Sequence, residues 1–490
     1  MQYIIGSRDG KLKASPALLA AIDAKLNQIK QLMLQGLSSQ GLPRTAEELY
    51  AFEKSLQERS CELLNEVTAA VVQGLNEDET FRQAAQAAFA GDGRFRNGGM
   101  RPTTIRLLGG GTIQLRTPYL ARKRGKRRGR RRGVGRRGNG GSGVLPVLLC
   151  LGIRWGSTPA LASAVAREAA DSSSYECARQ SLAARGIDLD VKVIRRLTMA
   201  LGNGGLKVRQ ARIQQARQGK ATEEFKGKRI VVGVDGGRLR SRVPRRRGRR
   251  KNETNRRGFD CPWREPKCFV IYEIDEKGRK KRTELPIYDA TLGNCDAVYE
   301  IIRAELKLRG ARDAASLLFL ADGADWIWDR IPDLVEDLGI DPRRVSMGVD
   351  FYHAVENLEA AAELRSGWSK KRRKRWVKRM KKLLWRGKVE KVIEEIDRLC
   401  VGRNSKALRT KRDYFKDRKD MMAYAKLRRR HLPIGSGSVE SAVRRIVNLR
   451  MKGCGIFWRD ENSEAMLYLR AQLKAGRWEE MVTATFTHVS

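Results

Sequence analysis

The chain has 490 residues, enough for two to four domains, and 41% of them are hydrophobic, enough for ordinary cores. Lysine and arginine total 100 against 56 aspartate and glutamate, a net charge of +44. Such an excess repels itself unless a polyanion neutralises it, which points to nucleic acid. An anionic membrane surface is the weaker candidate and no membrane partner is expected: no apolar run approaches the ~18 residues of a span, and no lipidation motif or long basic amphipathic helix stands out.

The N-terminus, MQYIIGSRDGKLK, lacks the layout of a signal peptide, so a cytoplasmic, nucleoid-associated protein is expected. The eight cysteines are scattered and read as reduced thiols. Cys261 and Cys268 lie closer together, as CPWREPKC, but wider apart than most zinc-ligand pairs and with no second pair following; whether they bind zinc is left open. Three histidines leave few candidates for histidine-centred catalysis.

Residues 1–90 read as a helical domain. SPALLAAIDAKLNQIKQLMLQGL and TAEELYAFEKSLQERSCELLNEVTAAVVQGL place apolar residues on one helical face, and Thr45 with the following acids marks a helix start. Residues 91–143 change character. GDGRFRNGG reads as a loop, TTIRLLGGGTIQLRTPYL as a β-hairpin, and RKRGKRRGRRRGVGRRGNGGSG as a basic arm. Arg127, Arg128, Arg130 and Arg131 stand in this arm, where glycine and charge repulsion oppose a helix. It is either a solvated linker or a disordered segment tracking phosphates.

Residues 144–222 return to three or four short helices, with caps at Ser157/Thr158 and Ser172–Ser174. They suit a helix-turn-helix DNA-binding domain or a plain helical spacer. From 223 to 365 the period alternates. KGKRIVVGVDGG reads as a strand ending at Asp235, followed by a second basic insertion holding Arg245, Arg246 and Arg249. PKCFVIYEIDEKGRKKRTELPIYDATLG reads as two antiparallel strands joined at DEKG. DAVYEIIRAELKLRGA is a helix, AASLLFLAD a strand ending at Asp322, and 344–349 a strand running into a further helix. Three strands, then helices alternating with strands, is the order of a ribonuclease-H-like α/β core: a mixed five-stranded sheet flanked by helices. In that fold the first and fourth strands are neighbours, so Asp235 and Asp322 would face each other.

Residues 366–434 read as a basic all-α insertion, with Lys371, Arg372 and Arg373 beside Trp368, Trp376 and Trp385. Cations interleaved with aromatics suit phosphate contacts and stacking on bases; tryptophans at this spacing equally suit helix–helix packing. Residues 435–490 complete the core. Ser438 is placed to cap a helix whose buried face is Val439, Ala442, Val443, Ile446 and Val447, with Glu440 in its first turn. Alone, such an acid is what the helix dipole favours, and Arg444 stands four residues on to pair with it.

The company of Asp235 and Asp322 suggests more. Moving a phosphodiester bond needs an in-line nucleophile and a stabilised leaving group, and two divalent ions ~3.5–4 Å apart serve both. Mg2+ or Mn2+ takes oxygen ligands, few of them from protein, and needs no general-base histidine. Asp235, Asp322 and Glu440 are therefore the expected ligands of two ions. Asp289, Asp325 and Asp350 are competing acids.

VDGGRLR (234–240), ADGADWIWDRI (321–331), DFYHAVENL (350–358) and GSGSVESAVRRIVNLRMKGCGIFW (435–458) together resemble a bacterial insertion-sequence transposase of the ISKra group, related to the Mutator-like DDE transposases. The resemblance covers about 226–475. It implies Asp235, Asp322 and Glu440 as the catalytic carboxylates on Mg2+ or Mn2+, with Asp350 and His353 as an accessory element. It implies DNA partners, the terminal inverted repeats and a target, and a homodimer or higher oligomer to pair two ends. Arg450, Lys452 and Trp458, after Glu440, are further expected DNA contacts. The rivals are a ribonuclease-H-like nuclease that only hydrolyses and a catalytically inactive nucleic-acid-binding descendant.

Overall fold

A computed structural model describes residues 16–40, 42–90, 93–123, 143–219, 221–245, 258–401 and 405–487. The chain divides into two compact units, Met1–Gly204 with Val482–Ser490, and Gly205–Met481.

In the first unit α1 (Pro16–Gln40) packs on α2 (Ala46–Glu77), and α3 (Glu79–Ala90) follows. Thr45 caps α2 in a reciprocal box: Glu48 N donates to Thr45 Oγ1 at 3.2 Å, and Thr45 N donates to Glu48 Oε2 at 3.2 Å. The hairpin of β1 (Phe95–Arg106) and β2 (Thr112–Arg122) begins earlier than expected, because FRNGG is strand rather than loop. Two glycines make this feasible. The register shifts between Asn97 and Met100; Gly98 lies against Tyr119, and Gly99 takes φ +76.

Helices α4 (Pro146–Cys150), α5 (Pro159–Asp171), α6 (Tyr175–Ala183) and α7 (Val191–Arg217) come next. Ser174 caps α6 as expected, accepting from Cys177 N at 3.0 Å, whereas Thr158 at the start of α5 makes no side-chain cap. The last short helix expected here is one 27-residue helix that runs through Gly202, Gly204 and Gly205. The last of these serves packing: a β-carbon on Gly205 would collide with the Tyr468 ring. Leu161, Val165, Leu182, Ile194 and Leu197 close a core among α5, α6 and α7.

The second unit is a mixed α/β structure around a five-stranded sheet. Its strands are β3 (Arg229–Gly236), β8 (Lys267–Ile274), β9 (Ile287–Thr291), β10 (Ser316–Ala321) and β11 (Val345–Val349). Two-residue pairs fill the gap after β3: β4 (Leu239–Arg240) with β7 (Trp263–Arg264), and β5 (Val243–Pro244) with β6 (Phe259–Asp260). The main sheet runs β11-β10-β3-β8-β9, with β3, β10 and β11 parallel, β8 antiparallel to β3, and β9 antiparallel to β8.

Helices α8 (Cys295–Leu308), α9 (Asp325–Trp328), α10 (Ile331–Asp337) and α11 (Phe351–Glu363) alternate with the later strands. The stretch expected to be an insertion is helical: α12 (Lys370–Trp385), α13 (Val389–Cys400), α14 (Lys406–Asp417) and α15 (Tyr424–Arg429). Then come α16 (Gly437–Val443), a π-helical turn (Arg444–Asn448), α17 (Leu449–Met451), α18 (Asp460–Ala475) and α19 (Trp478–Thr487).

Strand alternation sorts the two faces of the sheet. Ile230, Val232 and Val234 of β3 join Leu317, Phe319 and Ala321 of β10 in the large core beneath α8, α10 and α11. Val231, Gly233 and Asp235 therefore point to the other face, as do Leu318, Leu320 and Asp322. That face carries α16: a β-carbon on Gly233 would meet Val439 Cβ at 3.1 Å. The glycine in β3 lets the helix bearing Glu440 lie close on the strand that ends in Asp235. The expected face of that helix is buried, at Val439, Ala442, Val443, Ile446 and Val447.

Candidate active site

The parallel register sets Val234 beside Ala321, so Asp235 and Asp322 stand next to each other at the ends of neighbouring strands. Gly236 N donates to Asp235 Oδ1 at 2.7 Å. Ala324 N donates to Asp322 Oδ1 at 3.0 Å, and the Trp328 indole N–H holds the Asp322 carbonyl at 3.0 Å, fixing the turn into α9. Glu440, on the helix laid over this face, is half-exposed; its Oε1 accepts from Ser436 Oγ at 2.9 Å and lies 3.6 Å from His353 Nε2.

The Asp235 carboxyl is pushed up to about 6. Burial contributes most, followed by the charge of Asp322, with Glu440 adding to it; the Gly236 N–H and His353 oppose. Among the described residues no lysine or arginine pairs with Asp235, Asp322 or Glu440, and the His353 imidazole is the one basic group paired with Glu440. Burial lowers the His353 imidazole, but Asp350, Glu356, Glu440 and Asp322 outweigh it and hold it above its ordinary value. The site is a cluster of carboxylates short of counter-charge. Its donors are oxygens on rigid elements, and this fits a hard divalent cation.

Asp350 is fully buried and sits at the end of β11, one strand further out. Its Oδ1 accepts from His353 N at 2.7 Å, capping α11, and its Oδ2 accepts from Ser436 N. Its own N–H donates to the Ala321 carbonyl at 2.8 Å, and Phe351 N donates to Ile434 O at 2.9 Å. Asp350 therefore staples the end of β10 to α11 and to the segment that delivers Glu440. Asp350, His353 and Glu440 each offer a ligand atom within 4.8 Å of the others; among the described residues this is the tightest grouping of metal-ligating side chains, and it holds neither Asp235 nor Asp322.

Other expectations fall differently. Ser438 does not cap α16: the N-cap position is Ser436, whose hydroxyl goes to Glu440, while the Ser438 hydroxyl is hydrogen-bonded to the Tyr272 phenol. Arg444 makes no ion pair with Glu440. Asp289 lies on the far edge strand, buried against Arg209 at 3.3 Å, and Asp325 pairs with Arg418; neither joins the site. Cys268 is buried, which pushes its thiol up, and Cys261 is half-buried; neither belongs to the grouping above.

Of the expected DNA contacts, Lys371, Arg372 and Lys452 are exposed. Arg245 is exposed and pairs with Asp260 at 2.7 Å. Arg373 is half-buried and donates to the Arg365 carbonyl at 3.1 Å. Trp376 is 7% exposed and packs edge-on against Trp368 with ring centroids 5.9 Å apart, so it is core rather than a platform for bases; Trp385 is the exposed tryptophan of α12. Arg450 and Trp458 are buried with the guanidinium 5.1 Å over the ring, because the chain after the π turn folds back onto β4. Arg127, Arg128, Arg130, Arg131, Arg246 and Arg249 lie outside the described residues.

Two residues that position the site went unread in the sequence. Ser436 carried a signal only as one of two equivalent serines in GSGS. Arg470, 1% exposed, donates from α18 to the Arg445 carbonyl and, at 2.6 Å, to the Ile446 carbonyl in the π turn that follows Glu440's helix. No family model matches the chain, and no curated protein or solved structure matches it.

Proposed function

We propose that this chain is a divalent-metal-dependent DDE transposase that cleaves DNA at the ends of a mobile element and joins the freed 3′ ends to target DNA. The observation that carries the reading is the placement of Asp235 and Asp322 at adjacent strand ends, under a helix that brings Glu440 to the same face. The sheet order, with one antiparallel strand inside it and three acids ending its parallel strands, supports a ribonuclease-H-like core.

Asp235, Asp322 and Glu440 would hold Mg2+ or Mn2+, which supplies nucleophile activation and charge neutralisation at the phosphorus. Asp235 would bind in its charged form, giving up the proton that burial and Asp322 favour. Glu440, half-exposed and tethered by the Ser436 hydroxyl, would close the site from the α16 side. His353 would balance carboxylate charge beside Glu440, and Asp350 would hold the two ends of that arrangement in register. The exposed cations of α12 would steer phosphates. The net charge of +44 suits a nucleoid-associated protein, and among the described residues no helix is long and apolar enough to cross a membrane.

The grouping of Asp350, His353 and Glu440 favours a second reading, in which one ion sits on an N/O site and Asp235 stays outside it.

The test is a strand-transfer assay with Mg2+, using a duplex carrying the DNA that flanks the coding sequence and a plasmid target. Covalent joining of the duplex 3′ end to the plasmid is expected. Cleavage without joining would leave only a nuclease, and binding without cleavage would leave an inactive descendant.

A further inference from the structure

We infer that the β1–β2 ribbon of the first unit is a docking surface for duplex DNA, lying along a groove with its arginines on the flanking phosphates. Residues 93–123 contain no aspartate or glutamate. Arg96, Arg101, Arg116, Arg122 and Lys123 are all exposed, and among the described residues none pairs with a carboxylate. Exposed cations without local counter-charge, on a chain of +44, call for an anion from outside.

The shape is set in advance. Asn76 Nδ2 donates to the Arg116 carbonyl at 2.8 Å, Asn65 Nδ2 to the Gly109 carbonyl at 2.9 Å, and Asn65 Oδ1 accepts from Gly111 N at 3.2 Å. These bonds pin the ribbon and its turn to α2. The bulge between Asn97 and Met100 adds twist, and the Arg101 guanidinium is laid 4.7 Å over the Tyr119 ring. Little conformational freedom is left for a ligand to remove. Twelve residues of β1 at ~3.4 Å each span about 40 Å, close to one turn of B-DNA, and a two-stranded ribbon fits its major groove. A-form RNA has too narrow a major groove for this. Contacts to phosphates make the surface sequence-independent, so it would hold and orient DNA while other parts read it.

The inference rests on the reading of the chain as a DNA enzyme, and the test separates the two. The full chain is compared with a variant carrying Arg96→Gln, Arg101→Gln, Arg116→Gln and Arg122→Gln, and with the same four changed to Lys. Affinity for an unrelated duplex of about three helical turns is measured from about 50 to 200 mM salt. The Gln variant should bind at least about tenfold more weakly, with a log K against log[salt] slope shallower by up to about 3.6, which is about 0.9 per lost contact. The Lys variant should keep the slope, and both should melt with the wild type. A Gln variant with the wild-type slope overturns the inference alone. So does a Gln variant that loses binding only to phosphatidylserine vesicles. A wild type that binds no DNA overturns both the inference and the proposed function.

Discussion

Asp350 offers a sharp perturbation because its environment assigns it a role distinct from ligand. It is 0% exposed, and its two oxygens accept the N–H groups of His353 and Ser436. Asp350→Ala would strand both donors in the interior. Each unsatisfied buried donor costs about 1–3 kcal/mol, and one of the two is also a helix cap, so the sum is about 3–5 kcal/mol. Asp350→Asn keeps one acceptor but turns an amide NH2 toward the other N–H, and should cost about 2–3 kcal/mol. Urea unfolding followed by tryptophan fluorescence reads this directly, since Trp328, Trp368 and Trp376 are buried in the same unit. With a slope of about 3 kcal/mol per molar, the alanine variant should lose about 1 M or more in midpoint. Hydrogen exchange at the Ser436 and His353 amides should accelerate in parallel. An alanine variant with the wild-type midpoint that loses metal binding would refute the reasoning, because Asp350 would then be a ligand and not a staple.

Other consequences follow from the same geometry. The Asp235 carboxyl sits at about 6 against an ordinary 3.8, so folding favours its protonated form: its contribution to metal-free stability is full below about pH 4 and is lost, up to about 3 kcal/mol, as pH rises through 6. Asp235→Asn, permanently neutral, should escape that loss and unfold at higher urea than wild type at about pH 7.5, the gap closing toward pH 4; a less stable variant at the higher pH would contradict this. Trp376→Ala should cost about 3–5 kcal/mol of stability through a core cavity, while Trp385→Ala costs little; selective loss of DNA affinity in a fully stable Trp376 variant would restore the stacking role. Arg470→Met should destabilise the second unit by about 2–4 kcal/mol by leaving two π-turn carbonyls without their charged donor, and an unchanged melting curve would show those bonds to be inconsequential.

Much of the second unit was legible because its strands are short apolar runs ending in an acid and a glycine. VVGVD and LLFLAD announce both the strand and the point where it leaves the core. The buried stripe of α16 was legible for the same reason, as a period of hydrophobic residues. The failures share a physical cause. Gly98 in β1 and Gly205 in α7 read as breaks, yet there they let Tyr119 and Tyr468 approach, contacts that offset their local cost. Trp376 and Trp385 stand nine residues apart, on opposite sides of α12, and Trp376 shares the apolar stripe of Met380 and Leu384; that difference was legible locally, but cations interleaved with aromatics drew both into one reading. Arg450 and Trp458 read as exposed contacts because nothing local reveals that the chain returns to β4. Ser436 and Ser438 differ by two residues, a shift that changes which hydroxyl reaches Glu440.

Asp235, Asp322 and Glu440 are proposed to form one divalent-metal site. Mn2+ binding, followed by electron paramagnetic resonance on wild type, Asp235→Asn and His353→Gln, tests it most directly. Asp235→Asn should abolish high-affinity binding while His353→Gln retains it. The reverse pattern, binding kept without Asp235 and lost without His353, would place the metal on Asp350, His353 and Glu440 and contradict the account.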